Sequence, residues 1–243
     1  LQGTLIRNGP GTFRVGEQNY RHWFDGLAML HRFSIDGGKV SYANRFLGCK
    51  AYDEAMETGK ISYSEFATDP CRSLFGRITA VFNQKITDSA KVNVASVADM
   101  MLALGETSMQ MEFDPQTLES LGVYRYEEKY RQHITTVHPH FDPARNLAYN
   151  LVSRFGRISH YRMLKIDDKG KSHVVGEIPV TEPAYIHSFG MSTRYLILVE
   201  FPLVVYPLKL LFQLRPFIEN FKWKPKRGST FYIMDRESGK LVK

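Results

Sequence analysis

The chain has 243 residues, is 43% hydrophobic and 13% aromatic, which is ample for a buried core, and carries 32 basic against 25 acidic residues for a net charge of +7. Two cysteines, Cys49 and Cys71, are too few for a disulfide framework, and neither has zinc-ligand spacing, so a reducing, cytoplasmic setting is expected. The opening LQGTLIRNGPG lacks the basic and apolar regions of a signal peptide and reads as domain interior, which predicts a fragment of a longer protein.

In chain order, LAMLHRFSI, DGG and KVSYANRFL predict strand, tight turn and strand over 27–47. DPCRSLFGRITAVFN (69–83) predicts a short helix. RISHYRMLKI, DDKGK and SHVVGEI predict a second hairpin over 157–178, RYLILVEF a strand at 194–201, PLKLLFQLRPFIENF (207–221) a second helix, and STFYIMDRESGKLVK a last strand and turn. Hairpins at this spacing predict an antiparallel all-β protein, as a sandwich, a barrel or a propeller, and periodicity alone does not choose among them. No interdomain linker interrupts the pattern, so residues 1–243 read as one domain.

Charge is unevenly placed: residues 201–243 hold nine Lys or Arg against three acids. The apolar run FPLVVYPLKLLFQLRPFIENF (201–221) just before the basic KWKPKR is broken by three prolines, Lys209 and Arg215. It therefore fails as a spanning helix, which needs about 20 apolar residues in a row. Two readings stay open: a core strand with a packed helix, or an interfacial patch in which Leu203, Val204, Leu208, Leu210, Leu211 and Phe212 enter a leaflet while Lys222 and Lys224 meet headgroups. Nucleic acid is not an expected partner, because the basic stretch has no aromatic platform beyond Trp223.

TTVHPHFDP (135–143) is the stretch most suggestive of chemistry. On a strand, residues two apart share a face, so His138 and His140 could point at one metal; Pro139 makes a central ladder position awkward and favours a turn that separates the rings. His187, in AYIHSFG, has no neighbour at ligand spacing. GPGTFRVG is glycine-rich, but Pro10 and the lack of a following helix argue against a phosphate loop. No G-x-S-x-G occurs, and His22, His31, His133, His160 and His173 read as ordinary histidines.

Taken together, LQGTLIRNGPGTF, YRHWFDGLAMLHRFSIDGGKVSYANRFL, DPCRSLFGRITAVF, NVASVADMMLALGETSMQMEFDPQTLESLG, TTVHPHFDP and YIHSFGMSTRYLILVEFPL resemble the carotenoid cleavage oxygenase family. The likeness is to its β-carotene oxygenase and retinoid isomerohydrolase branch and to bacterial relatives, and it runs in order along essentially the whole chain. It implies a seven-bladed β-propeller, here about half of one, with Fe(II) on the axis held by four histidines. The first two ligands map onto His138 and His187, and Glu106 in LGET maps onto a glutamate that accepts a hydrogen bond from a ligand imidazole. His140 is not a ligand in this mapping. No histidine follows His187, so the other two ligands lie outside the chain, and the 243-residue fragment alone is expected to be inactive.

The implied reaction is cleavage of one C=C bond of a carotenoid or apocarotenoid by O2 to aldehyde or ketone products, without an organic cofactor. An apolar polyene that lives in membranes gives the patch around Leu203 to Phe217 a purpose, so peripheral membrane contact is expected of a cytoplasmic protein. Within the family the alternatives are a retinoid isomerohydrolase and a stilbenoid-cleaving enzyme; the latter pattern has a lysine immediately before the glutamate, where this chain has Gly105. From another class, the alternative is a noncatalytic β-propeller binding module whose histidines are packing residues.

Overall fold

The computed structural model describes residues 1–70, 87–125, 134–212 and 215–242. Most of the helix expected over 69–83, together with Cys71 and His133, lies outside the described residues. The chain divides into two compact units, Leu1–Tyr124 and Arg125–Lys243.

In the first unit, strands β1 (Gly3–Thr12), β2 (Arg14–Val15), β3 (Gln18–Asn19), β4 (Leu27–Asp36) and β5 (Lys39–Phe46) precede helix α1 (Lys50–Thr58). Strands β6 (Asn93–Val97), β7 (Met100–Leu104), β8 (Met109–Phe113) and β9 (Ser120–Arg125) follow. They form a β1-β4-β5 sheet, a β6-β7-β8-β9 sheet and the small β2-β3 hairpin. The hairpin expected at 27–47 is β4-β5, closed by Gly37 and Gly38 with φ of 52° and 80°. Both turn residues occupy the left-handed region, whose twist matches the flanking strands and which glycine enters without steric cost. The stretch GPGTFRVG is strand, in β1 and β2, with a register shift between Pro10 and Thr12 where β1 meets β4. Leu30, Leu47, Ala103, Met111, Phe113 and Leu118 fill the largest core cluster of this unit.

The second unit contains β10 (Ile134–Thr135), β11 (His140–Asp142), β12 (Leu147–Arg154), β13 (Ser159–Ile166), β14 (Ser172–Val180), β15 (Gly190–Met191), β16 (Tyr195–Glu200) and β17 (Leu203–Val204). Helix α2 (Pro207–Phe212), β18 (Lys222–Trp223) and β19 (Thr230–Asp235) complete it. One sheet has the order β10-β12-β13-β14, with β11 also paired to β12; a second is β15-β16-β19, and a third β17-β18. The expected hairpin at 157–178 is β13-β14, and the strand at 194–201 is β16. The helix expected over 207–221 is shorter than its apolar pattern: α2 ends at Phe212, and a 3-10 turn covers Phe217–Asn220 after Pro216. Proline suits a first helical turn, as at Pro207, but its missing N–H and ring prevent continuation through Pro216.

Alternation along β12 sends Tyr149 and Leu151 to a core shared with Tyr161, Met163, Leu196, Leu198 and Met234, while Asn150 and Val152 face the other way. Each large apolar side chain buried there contributes about 1.5–3 kcal/mol. That core takes in Ala184, Ile186 and Phe189 of the segment that carries His187.

Candidate metal centre

His138 lies in the gap between β10 and β11, where Pro139 interrupts the ladder. A buried polar network holds the approach to it. Asn150 Oδ1 accepts from the Thr136 hydroxyl and the Leu151 N–H, and Asn150 Nδ2 donates to Thr135 Oγ1 and the Thr136 carbonyl at 3.1 Å each. The Thr136 N–H donates to the Leu151 carbonyl at 2.9 Å. Every hydrogen-bonding arm of this buried amide has a partner, which fixes 135–136 in one conformation.

The segment bearing His187 is anchored at its start. The Ala184 N–H donates to the Tyr161 hydroxyl at 2.6 Å, and Tyr185 N–H to the Leu203 carbonyl at 2.9 Å. Tyr161 in turn donates to Glu200 Oε2 at 2.8 Å, and burial beside that carboxylate pushes its phenol well above the usual range. Tyr161 therefore acts as a neutral fixture.

Between these two anchored segments, His138 Nε2 and His187 Nε2 come within 3.0 Å of each other although the residues are 49 apart in sequence. The rings are steeply inclined, at 67°, with centroids 4.8 Å apart. Two imidazole nitrogens about 2.1 Å from one shared ion and at right angles to each other are about 3.0 Å apart, so the pair fits two adjacent ligands of one metal. The Tyr185 hydroxyl lies 3.4 Å from His187 Nδ1, on the side away from His138. A proton on Nδ1, directed at that oxygen, leaves the Nε2 lone pair for a metal. His140 goes elsewhere: its Nε2 lies 2.7 Å from the Phe189 carbonyl. Neighbours in sequence, His138 and His140 thus have different partners. Among the described residues, no group of three or more His, Cys, Asp or Glu converges as a metal cluster.

Glu106 is half-buried in the connection between β7 and β8 of the first unit. The turn that carries it is held by Gln110, whose amide is fully buried. Gln110 Oε1 accepts the Gly105 N–H at 2.7 Å, and Nε2 donates to the carbonyls of Gly105 and Thr107 at 3.0 and 2.8 Å. A side chain thereby satisfies backbone groups on both sides of Glu106, so the turn needs no strand partner there.

Residues 1–243 match the family model described as retinal pigment epithelial membrane protein. The chain belongs to that family. Its relatives include a β,β-carotene 15,15′-dioxygenase of Rattus norvegicus, 34% identical over all of this chain and 47% of the relative. A mitochondrial carotenoid-cleaving dioxygenase of Mustela putorius furo is 32% identical over all of this chain and 48% of its own length. The cobalt-substituted apocarotenoid oxygenase of Synechocystis superposes with a TM-score of 0.84 at 26% identity, covering 99% of this chain and 52% of that one. The chain spans about half the length of these relatives, and its all-β sheets follow about half of the carotenoid oxygenase propeller.

Within this member of the family, the expected membrane-contact residues separate. Val204, with 1% of its surface exposed, is a core residue of β17 and offers nothing to a leaflet. Lys224 is bound to Glu182 through both carboxylate oxygens, at 2.7 and 2.8 Å. Its neighbour Arg227 pairs with the buried Glu200 at 2.7 Å, so part of the basic stretch is neutralised from within. Lys222 is exposed, Leu208 is 51% exposed, and Leu203 and Leu210 are half-buried. Leu211 and Phe212 belong to α2, but their side chains lie outside the described set. Tyr206 and Trp223, neither of them among the expected membrane-contact residues, are exposed and stand near Leu208 and Lys222 in the chain. No helix among the described residues is long and apolar enough to cross a membrane.

Sequence reasoning also passed over Tyr185, Gln110 and Asn150. Tyr185 carried a usable signal, because it sits two residues before His187 on an extended segment and so shares its side. Gln110 and Asn150 carried none, since polar amides are ordinarily exposed.

Proposed function

We propose that the intact protein is a non-haem iron oxygenase that cleaves one C=C bond of a carotenoid or apocarotenoid with dioxygen, each product taking one oxygen atom as its aldehyde or ketone carbonyl. The observation that carries this reading is the approach of His138 and His187 through their Nε2 atoms, in a chain of this family. The relatives add support, being named as carotenoid-cleaving dioxygenases and as an apocarotenoid oxygenase that has a cobalt-substituted form.

His138 and His187 would hold the iron together with ligands that the described residues do not supply. When bound, a ferrous ion among neutral imidazoles supplies an electropositive redox centre with positions open to dioxygen. The chain's own residues prepare the place. The Tyr185 hydroxyl can accept a proton carried on His187 Nδ1, and Tyr185, Phe217 and Phe221 stack edge to face beside it, with ring centroids 5.0–6.4 Å apart. This aromatic cluster suits a flat, apolar polyene. Glu106 keeps the role implied by the resemblance, accepting a hydrogen bond from a ligand imidazole. A stilbenoid reading is disfavoured further: a Cβ at Gly105 would lie 3.0 Å from Ala90 Cα, so a lysine does not fit without displacing backbone. Peripheral membrane contact, from the cytoplasm, is assigned to Tyr206, Leu208 and Trp223 with Lys222 at the rim.

The test measures iron content of the intact protein together with loss of β-carotene's visible absorbance under oxygen and under argon. Bleaching requires both iron and oxygen, chelation abolishes it, and added Fe(II) restores it. His138→Ala and His187→Ala each abolish iron binding. Iron-free protein that bleaches the carotenoid, or iron-loaded protein that leaves it untouched, defeats the reading.

A further inference from the structure

His140 is the member of the H-P-H motif that the proposed metal centre does not use, yet it is half-buried and engaged. A carbonyl oxygen can only accept, so the 2.7 Å contact to Phe189 O places the proton of a neutral His140 ring on Nε2. The same ring meets the Phe189 ring edge to face, with centroids 4.7 Å apart and planes at 78°. Phe189 is two residues beyond His187, as His140 is two beyond His138. The pairs 138·187 and 140·189 share an offset of 49 residues, so the two segments lie side by side and run in the same direction.

We propose that His140 is a positioning residue for the metal centre: its Nε2–H, donated to the Phe189 carbonyl, locks the His187 segment in register with the His138 segment and so sets the approach of the two ligand imidazoles. The physical need is plain. Among the described residues no strand is assigned from Tyr185 to Phe189; the segment is tied upstream at Ala184 and Tyr185, and β15 begins at Gly190. One strong, oriented side-chain bond at Phe189 supplies the downstream tie. Further along, Arg236 continues the same seam. It binds Asp142 of β11 while donating to the Ser192 and Thr193 carbonyls at 2.9 and 3.0 Å, so three successive ties join 138–142 to 187–193. The motif therefore divides labour, with His138 as ligand and His140 as the strut that sets where His187 stands.

The proposal rests on the iron reading, and its test separates the two. Cobalt(II) is titrated into the metal-free intact protein, with affinity taken from competition with a chelator and site geometry from the visible absorption bands. His140→Ala, and His140→Leu, which keeps bulk against Phe189 without a donor, weaken cobalt binding about 10–100-fold and alter the bands. His140→Gln, whose amide can reach the same carbonyl, restores affinity to within a few-fold of wild type. His138→Ala abolishes binding outright. Wild-type affinity in the Leu variant, or a Gln variant as weak as Leu, overturns the strut. Wild-type protein that takes up no cobalt overturns the metal reading, and the strut with it. Unfolding curves of the metal-free variants distinguish a lost strut from a lost fold: a Gln variant that melts like Leu yet binds like wild type shows that affinity follows the hydrogen bond rather than stability.

Discussion

Lys91 and Glu65 face each other inside the first unit with 6% and 1% of their side chains exposed. Burial pushes the Glu65 carboxyl up, against the pull of the Lys91 ammonium and of a hydrogen bond with Thr87. Removing one partner strands the other in a place that water does not reach. Lys91→Met is expected to cost about 3–5 kcal/mol in urea unfolding, and adding Glu65→Leu to recover most of it. A double variant as unstable as the single one would show that the pair is not the cause. None of this is visible in the sequence, where both residues belong to types that are normally solvated. Gln110 and Asn150 were hidden for the same reason. His138 and His187 were legible because their flanking stretches resemble a family, while the spacing of HPH by itself pointed equally to His140.

At the scale of elements, α1 went unpredicted. Only Ala51 and Ala55 of its residues are buried, which makes a weak periodic signal, and Cys49 at its N-terminus provides no side-chain cap. The cap comes from elsewhere in the chain: Asp88 accepts the N–H groups of Lys50 and Ala51 at 3.0 Å each, one on each carboxylate oxygen. At the other end Gly59, with φ of 65°, donates its N–H to the Ala55 carbonyl and ends the helix. Asp88→Ala is expected to cost about 1–2 kcal/mol, and Asp88→Asn less, since one acceptor survives. Urea midpoints and far-ultraviolet dichroism check this, and equal stability of all three proteins would remove Asp88 as the cap. The β4-β5 hairpin was legible for the opposite reason: its strands alternate, and the Gly-Gly turn is local chemistry that nothing distant has to complete.

Across the whole molecule, four carboxylates share one acid response. The Ser238 N–H and the Arg194 guanidinium hold Asp235 down from 3.8 to about 2, and Arg236 lowers Asp142. Backbone N–H groups lower Asp114 and Asp167. A carboxyl depressed in the folded state adds stability that is fully present above its unfolded value and is lost as pH falls through its folded one. The urea midpoint is therefore expected to drop between about pH 4 and about pH 2, and Asp235→Asn to flatten that slope; an unchanged slope in the variant removes Asp235 from the account. Strand period, turn residues and proline positions determined an all-β chain of hairpins from sequence alone, because each of those signals acts within a few neighbouring residues. Tertiary structure alone decided that His140 binds Phe189, and that Val204 is core. It likewise decided that Lys224 answers to Glu182. Those outcomes depend on burial and on side chains tens of residues apart, which only a folded core brings within hydrogen-bonding reach.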